Sequence, residues 1–572
     1  MKAAWKKFLQ SEYRYPALFL LGLCCITAMY LYKAPLEIPS TDESFYLMLP
    51  KRLLDGDSLF VDEWHGTQMS AFLLYPLLWA HQLLFGYEGI LLHFRYIYVV
   101  FQVLCAVVLY LRLRQHKLFG VLAAWLFFLF TPFDIMALSY NTMGLMLLTL
   151  TIVLLATAKS KRVYAISGFL FAGAVLCCPY LLLGYAVYSA AAVVYGIATG
   201  HRDAIKAWGC FTLGAAALAL LFFAFVLSRT SLGDIFRALP HIFSDPEHPS
   251  KGFFSAINGY LFACATVVRP ARIGLAIYLV YLAALIAALV DKRRSAHRLL
   301  YLGVSIASAL AMLCMLARRL PNDNYHQLMY PLALVGLMAY LVTDKRNHRL
   351  FLFTFCGGFV YAFCTYFSSN QGSNIIMAAS VTANVASILL LGDALRELRA
   401  DGAAFPRPAR VAAGILVPLL FLTQFSLMGY VKLQHKFWSE TPNAALTAVI
   451  PAGPCRGIHV TPETHDIYMQ EYETLLPLTK KEGRVLYVSS KVWYYLATPN
   501  LRVGSLSAWM NTSIQTTPYL ASYYQFNSEN LPEHILISPE VRLDMDAFQE
   551  LILEPYGYRP AEPIGDLNYY IR

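Results

Sequence analysis

Long apolar runs separated by short polar segments dominate the chain from residue 17 to residue 430. A membrane-crossing helix needs roughly 20 mostly apolar residues, fewer where flanking polar groups reach the surface. That pattern predicts spans at 17–32, 94–111, 118–133, 143–158, 163–179, 181–198, 207–228, 272–290, 299–317, 327–343, 350–367, 375–392 and 411–430, about thirteen in all. The basic segments 112–117, 159–162, 201–206, 291–298, 344–349 and 396–410 then all fall on one side. The excess of Lys and Arg in cytoplasmic loops makes that side the inside and puts the N-terminus there too. The opposite, outside face receives a long first loop, 33–93, and shorter segments at 131–141, 229–271, 318–327 and 368–374. Within the first loop, 69–85 is apolar but carries Pro76 and His81, which reads as an interfacial or re-entrant helix rather than a span. Beyond residue 430 the pattern changes. GRVLYVSS (483–490), LRVGS and HILISPE (534–540) read as strands, with helices at KVWYYLA and MDAFQELILEPYGY. The expected fold is mostly α: a polytopic membrane protein with about thirteen transmembrane helices (1–430) and a small extracytoplasmic α/β domain (431–572).

Composition agrees with this pattern. Hydrophobic residues make up 58% of the 572, mean hydropathy is +0.51, and the aromatic share of 14% suits membrane interfaces and sugar faces alike. The net charge of +10 sits largely in the short basic loops, so it sets topology and does not indicate a nucleic-acid partner. Most of the eleven cysteines lie in apolar runs and only Cys455 lies in the polar tail, so no disulfide framework is implied. Three lysines (Lys2, Lys6 and Lys7) precede the first run without a small-residue cleavage pattern, which reads as a retained anchor. The tail holds no Gly-rich phosphate loop; its Asn511-Thr512-Ser513 sequon is a short motif of little weight.

The chemistry concentrates in the first outside loop, IPSTDESFYLMLPKRLLDGDSLFVDEWHGTQMSAFLLYPL. Asp42 and Glu43 stand at the predicted membrane rim, where acids are costly and mark functional sites. Lys51 and Arg52 follow, suited to an anionic head group. A carboxylate beside a positively lined cleft is the pairing that a general base needs opposite a lipid-linked phosphate ester. Solvated loops are often acidic too; the rim position and the adjacent helix-like stretch favour the functional reading.

The order of these elements resembles the GT-C superfamily of membrane glycosyltransferases, which includes the protein mannosyltransferases and the bacterial aminoarabinose transferase. The resemblance rests on Asp42-Glu43, Tyr46, Gly56-Asp57, Trp64 and Tyr75-Pro76 in the first loop, on a Gly-rich span at 167–180, and on the overall layout. It implies an inverting transfer of a sugar from a polyprenyl-phosphate carrier to a glycan, lipid or protein acceptor on the outer face of a plasma membrane. Asp42 would be the catalytic base, with Glu43 in support. Where relatives of the aminoarabinose transferase carry Lys-Pro-Pro-Leu, this chain has Gln68-Met69-Ser70-Ala71, and the Gly-rich span ends in Cys178-Pro179-Tyr180 rather than in lysine. The carrier phosphate would therefore fall to Lys51, Arg52, Arg95, Arg318, Arg319 or His326, with Tyr325 in the same turn as His326. Tyr46, Trp64 and His65 are further substrate-binding candidates, and Asp134 is the acid of the second outside loop. No metal site is assigned and no cofactor is required, although Asp245, Glu247 and His248 leave room for a divalent cation. Two other classes compete: a transporter or flippase, which predicts mid-span charges and repeat symmetry, and a non-catalytic polysaccharide-export component. A ligase-like transferase relying on a late basic loop fits the early acidic pair less well.

Overall fold

The computed structural model describes residues 11, 13–38, 42–246, 252–266, 272–293, 296–318, 320, 326–368, 373–400, 407–434, 441–510 and 516–572. It is mostly helical, with one small sheet region near the C-terminus. Hydrocarbon offers the backbone no hydrogen-bond partner, so each long apolar run closes its bonds internally as a helix. Among the described residues, nine helices are long and apolar enough to cross a membrane: Arg14–Lys33, Ile90–His116, Tyr140–Thr157, Leu181–Ala198, Arg202–Leu227, Ile273–Val290, Arg298–Ala317, Leu350–Phe367 and Val411–Gln434. The other four of the thirteen expected spans are also helical but shorter, broken or more polar. Leu118–Leu129 ends where Pro132 begins a turn, and a 3₁₀ turn His326–Met329 opens Tyr330–Val342. Lys161–Cys177 falls just short, and the region of 375–392 divides into Ser373–Ala379 and Val381–Ala400. The segment 229–271, expected as a loop, contains the helices Leu232–Ile242 and Phe253–Thr266.

Two glycines show how tightly the bundle packs. A Cβ on Gly168 would lie 1.8 Å from the Phe211 carbonyl, and one on Gly214 would lie 1.9 Å from the Ala165 carbonyl. The helices Lys161–Cys177 and Arg202–Leu227 thus touch backbone to backbone, as small residues allow between membrane helices.

The first loop is built from two helices, Asp42–Leu54 and Ala71–Phe85, which pack against each other. The second, with Pro76 inside it, coincides with the apolar stretch expected at the interface. The five-stranded sheet runs β4 (Arg502–Val503), β3 (Arg484–Val488), β5 (His534–Ile537), β7 (Asn568–Ile571), β6 (Arg559–Pro560). The pairs β4/β3 and β3/β5 are parallel; β5/β7 and β7/β6 are antiparallel. β3 is buried throughout, which explains its continuous apolar run. A two-stranded ribbon, β1 (Ala448–Val449) with β2 (His459–Val460), precedes the sheet. This region sits directly on the first loop. The His459 amide donates to the Pro35 carbonyl at 2.6 Å and the Glu37 amide to the His459 carbonyl at 2.8 Å. Farther along, the Trp64 amide donates to Leu506 at 2.8 Å and the Gly89 amide to Gly453 at 3.0 Å. The ends of the first two spans, the first loop and the sheet are thereby tied into one face.

Candidate active site

Asp42 and Glu43 occupy the first turn of the helix Asp42–Leu54. Anions are favoured there, because the free amides of a helix start carry partial positive charge. The two neighbours meet different fates. Glu43 is buried, and its Oε2 accepts from Nε of Arg95 at 2.8 Å. Arg95 also donates Nη1 to the carbonyls of Ala34 (2.7 Å) and Leu36 (3.1 Å), and Nη2 to that of Glu37 (2.9 Å). The pair fixes the chain where it leaves the first span. The Asp42 carboxylate has no hydrogen-bond or ion-pair partner among the described residues. Burial first, and the adjacent Glu43 charge second, push its carboxyl up to about 6. One helical turn on, Tyr46 packs edge-on to Tyr140, with centroids 5.5 Å apart, and meets the Asn141 side chain. Ser139 and Thr142 cap the helix Tyr140–Thr157 reciprocally, which holds Tyr140 and Asn141 in its first turn beside Tyr46.

A second group lies close by. Asp134 sits in a turn where Phe133 (φ 54°) and Asp134 (φ 58°) both adopt the left-handed conformation. The Phe133 amide donates to Nε2 of buried His326 at 2.8 Å. Asp134 bonds through one oxygen to Lys33, at the end of the first span, and through the other to Lys432, in the last turn of the helix Arg407–Gln434. Burial alone would raise the Asp134 carboxyl, but the two lysines outweigh it and hold the group below the usual carboxylate range. Lys432 also lies over the Tyr30 ring, 5.2 Å from its centroid, and Tyr30 donates to the Phe128 carbonyl at 2.7 Å. Lys33 interacts with Arg95, and Glu43 with Asp134, so the two groups form one electrostatic cluster. It holds three cations (Lys33, Arg95 and Lys432) against two anions (Glu43 and Asp134). Asp42 borders this cluster through its neighbour Glu43.

Several sequence candidates are placed differently from expectation. Arg52 is 1% exposed and turned inward. Its Nε donates to Asp57 (2.7 Å), Nη1 to Glu63 (2.9 Å) and the Ser505 carbonyl (3.0 Å), and Nη2 to the Asp62 carbonyl (2.6 Å). Lys51 is equally buried, paired with Asp55 at 2.6 Å. Both lie past the middle of a helix whose far end is covered by the sheet region. Trp64 also faces inward, stacked on His241 at 4.9 Å and surrounded by Tyr519, Tyr523 and Phe526. His65 packs edge-on to Phe45 at 4.8 Å and bonds to Thr67 through Nδ1 at 2.7 Å. Asp134, expected as a second available acid, has both oxygens engaged by lysine. Arg318 is exposed at the end of the helix Arg298–Ala317. Arg319, Tyr325, Glu247, His248 and the sequon 511–513 lie outside the described residues. Among the described residues no group of three or more His, Cys, Asp or Glu is gathered as a metal ion would require. Sequence reading missed Lys33 and Lys432. Their signal is a lysine at the very end of an apolar run on this face, which reads at first as an ordinary interfacial anchor.

No protein-family model and no curated protein sequence matches the chain. Solved structures similar to it include the Archaeoglobus fulgidus oligosaccharyltransferase tethered to an acceptor peptide containing an NVT sequon. That match has 12% identity and a TM-score of 0.46, covering 93% of this chain and 69% of that one. The apo form of the same enzyme matches at 12% identity and TM-score 0.46, over 91% and 69%. The archaeal oligosaccharyltransferase of that organism in complex with an inhibitory peptide and a dolichol-phosphate matches at 14% identity and TM-score 0.47, over 98% and 74%. At this identity the function has to be argued from the site itself.

Proposed function

We propose that this chain is an inverting membrane glycosyltransferase that moves a sugar from a polyprenyl-phosphate carrier to an acceptor at the outer face of a plasma membrane. One observation carries the reading: at the edge of a buried charge cluster, Asp42 alone of the acidic pair is left unpartnered, one residue from the Glu43 that Arg95 holds. A carboxyl near pKa 6 is ionised at neutral pH and still basic enough to accept a proton from an acceptor hydroxyl as the sugar is attacked. Lys33, Lys432 and Arg95 supply the positive field for the departing phosphate; they replace Lys51 and Arg52 in that role. Glu43 acts as a support, held by Arg95 and keeping the Asp42 turn in place. One base and one direct displacement give inversion at the anomeric carbon.

The test uses purified full-length protein in lipid vesicles and a panel of polyprenyl-phosphate sugars, the donor chosen from whichever lipid-linked sugar accumulates in a deletion strain. Supplied with an envelope extract of the deletion strain as acceptor, wild type consumes that donor and releases polyprenyl phosphate, while Asp42→Asn inserts normally and does not. Full turnover by Asp42→Asn would remove Asp42 as the base.

A further inference from the structure

An apolar cavity of about 400 Å³, lined by none of the Asp42-cluster residues, opens between the first-loop helix and the bundle. One wall is the first-loop helix Ala71–Phe85, through Phe72, Tyr75 and Pro76; the other is formed by Leu147, Leu170, Gly173 and Leu218 from three bundle helices. Leu218 lies nine residues before the end of the helix Arg202–Leu227, so the cavity reaches about 13 Å below that end, into the depth of a hydrocarbon layer. Arg229 stands at its rim. The guanidinium lies 4.5 Å from the centroid of Phe225 and 5.3 Å from that of Tyr75, both lining residues. Its Nη1 donates to the carbonyls of Leu53 (2.6 Å) and Asp57 (3.4 Å), and its Nη2 contacts the Tyr75 hydroxyl at 3.3 Å. No carboxylate pairs with Arg229 among the described residues, so its charge is held in place and uncompensated.

An apolar slot running inward from a fixed, uncompensated guanidinium is complementary to an anionic head carrying a hydrocarbon chain. We propose that this groove binds an anionic phospholipid, with one acyl chain between the helix Ala71–Phe85 and the bundle and its phosphate on Arg229. The chain of the sugar carrier is a different occupant. Its phosphate belongs at the first turn of the helix Asp42–Leu54, whereas Arg229 holds the carbonyl of Leu53, 11 residues or about 16 Å farther along that helix. Gly173 keeps the slot open: a Cβ there would meet only the flexible ends of Leu147 (3.0 Å) and Leu218 (3.7 Å).

The experiment uses the full chain in detergent with phosphatidylglycerol bearing a photoreactive diazirine in one acyl chain. Crosslinks in wild type should map to the peptides containing 72–76 and 169–173, and unlabelled phosphatidylglycerol should compete at least tenfold better than phosphatidylcholine. Gly173→Leu should abolish those crosslinks, and Arg229→Gln should remove the preference for the anionic head. Labelling elsewhere on the bundle, equal competition by the two phospholipids, or stronger competition by polyprenyl phosphate than by phosphatidylglycerol would each overturn the proposal. The wild-type crosslink map decides the matter even if a variant fails to fold.

Discussion

At the residue scale, the divergence of Asp42 and Glu43 makes a prediction about pH. The carboxyl of Asp42 titrates near 6 in the folded protein against an ordinary 3.8. Because the folded state holds this proton more tightly, the charge on Asp42 costs stability as pH rises from about 4 to about 6, and the cost stays constant above that. A base must be ionised, so transfer should climb through an apparent pKa near 6 over the same range. Asp42→Asn should therefore lose transfer while gaining roughly 1–3 kcal/mol of stability at pH 7.5, a gain that fades below pH 4. Thermal unfolding in detergent at the two pH values, alongside a pH–rate profile, checks both halves. Arg95→Ala should lose stability instead of gaining it, and lose transfer with it. It leaves Glu43 buried and unpaired and frees the carbonyls of Ala34, Leu36 and Glu37, costing about 3–5 kcal/mol. The acidic pair was legible in the sequence; the division of labour within it was not, because it depends on an arginine 52 residues away in the chain. Lys33 and Lys432 were harder still, since nothing local shows that lysines 399 residues apart share one carboxylate.

At the scale of elements, the first-loop helix is held at both ends by charge. Asp57, just beyond it, accepts from Arg52 at 2.7 Å and from Arg484 of β3 at 3.0 Å, and Glu63 completes the set. All four groups are nearly inaccessible to water, and the two arginines hold the Asp57 carboxyl below its usual range against the opposing effect of burial. Removing one member of such a set strands the others. Asp57→Ala should cost about 3–5 kcal/mol and loosen the sheet from the loop, seen as faster cleavage by protease between 431 and 445. Gly168→Leu tests a different joint: the Phe211 carbonyl blocks any side chain there, so the variant should fail to accumulate as a monodisperse protein. The periodicity of the chain makes most of these helices and strands legible, since run length and apolar content decide them. It does not show that Lys51, Arg52 and Trp64 turn inward. A loop rich in charge reads as solvated until the sheet that covers it is known, and the covering residues lie more than 400 positions later.

At the scale of the whole molecule, the orientation expected from the alternation of basic loops is open to direct labelling, but the obvious reporter is unsuitable. Cys455 is the lone cysteine of the C-terminal region, yet it is 0% exposed, packed beside Tyr468, and burial pushes its thiol up to about 12. A thiol this far from ionising reacts slowly on either side of a membrane. Ser490, exposed two residues past the end of β3, and Arg293, exposed between two long helices in a basic segment expected on the inside, serve instead. With the exposed Cys24, Cys25 and Cys314 replaced by serine, an impermeant maleimide added to intact cells should modify Ser490→Cys and spare Arg293→Cys. Cys455 should stay silent in both backgrounds until the protein is denatured. Labelling of Arg293→Cys in place of Ser490→Cys would invert the topology, and with it the face proposed for the chemistry of Asp42.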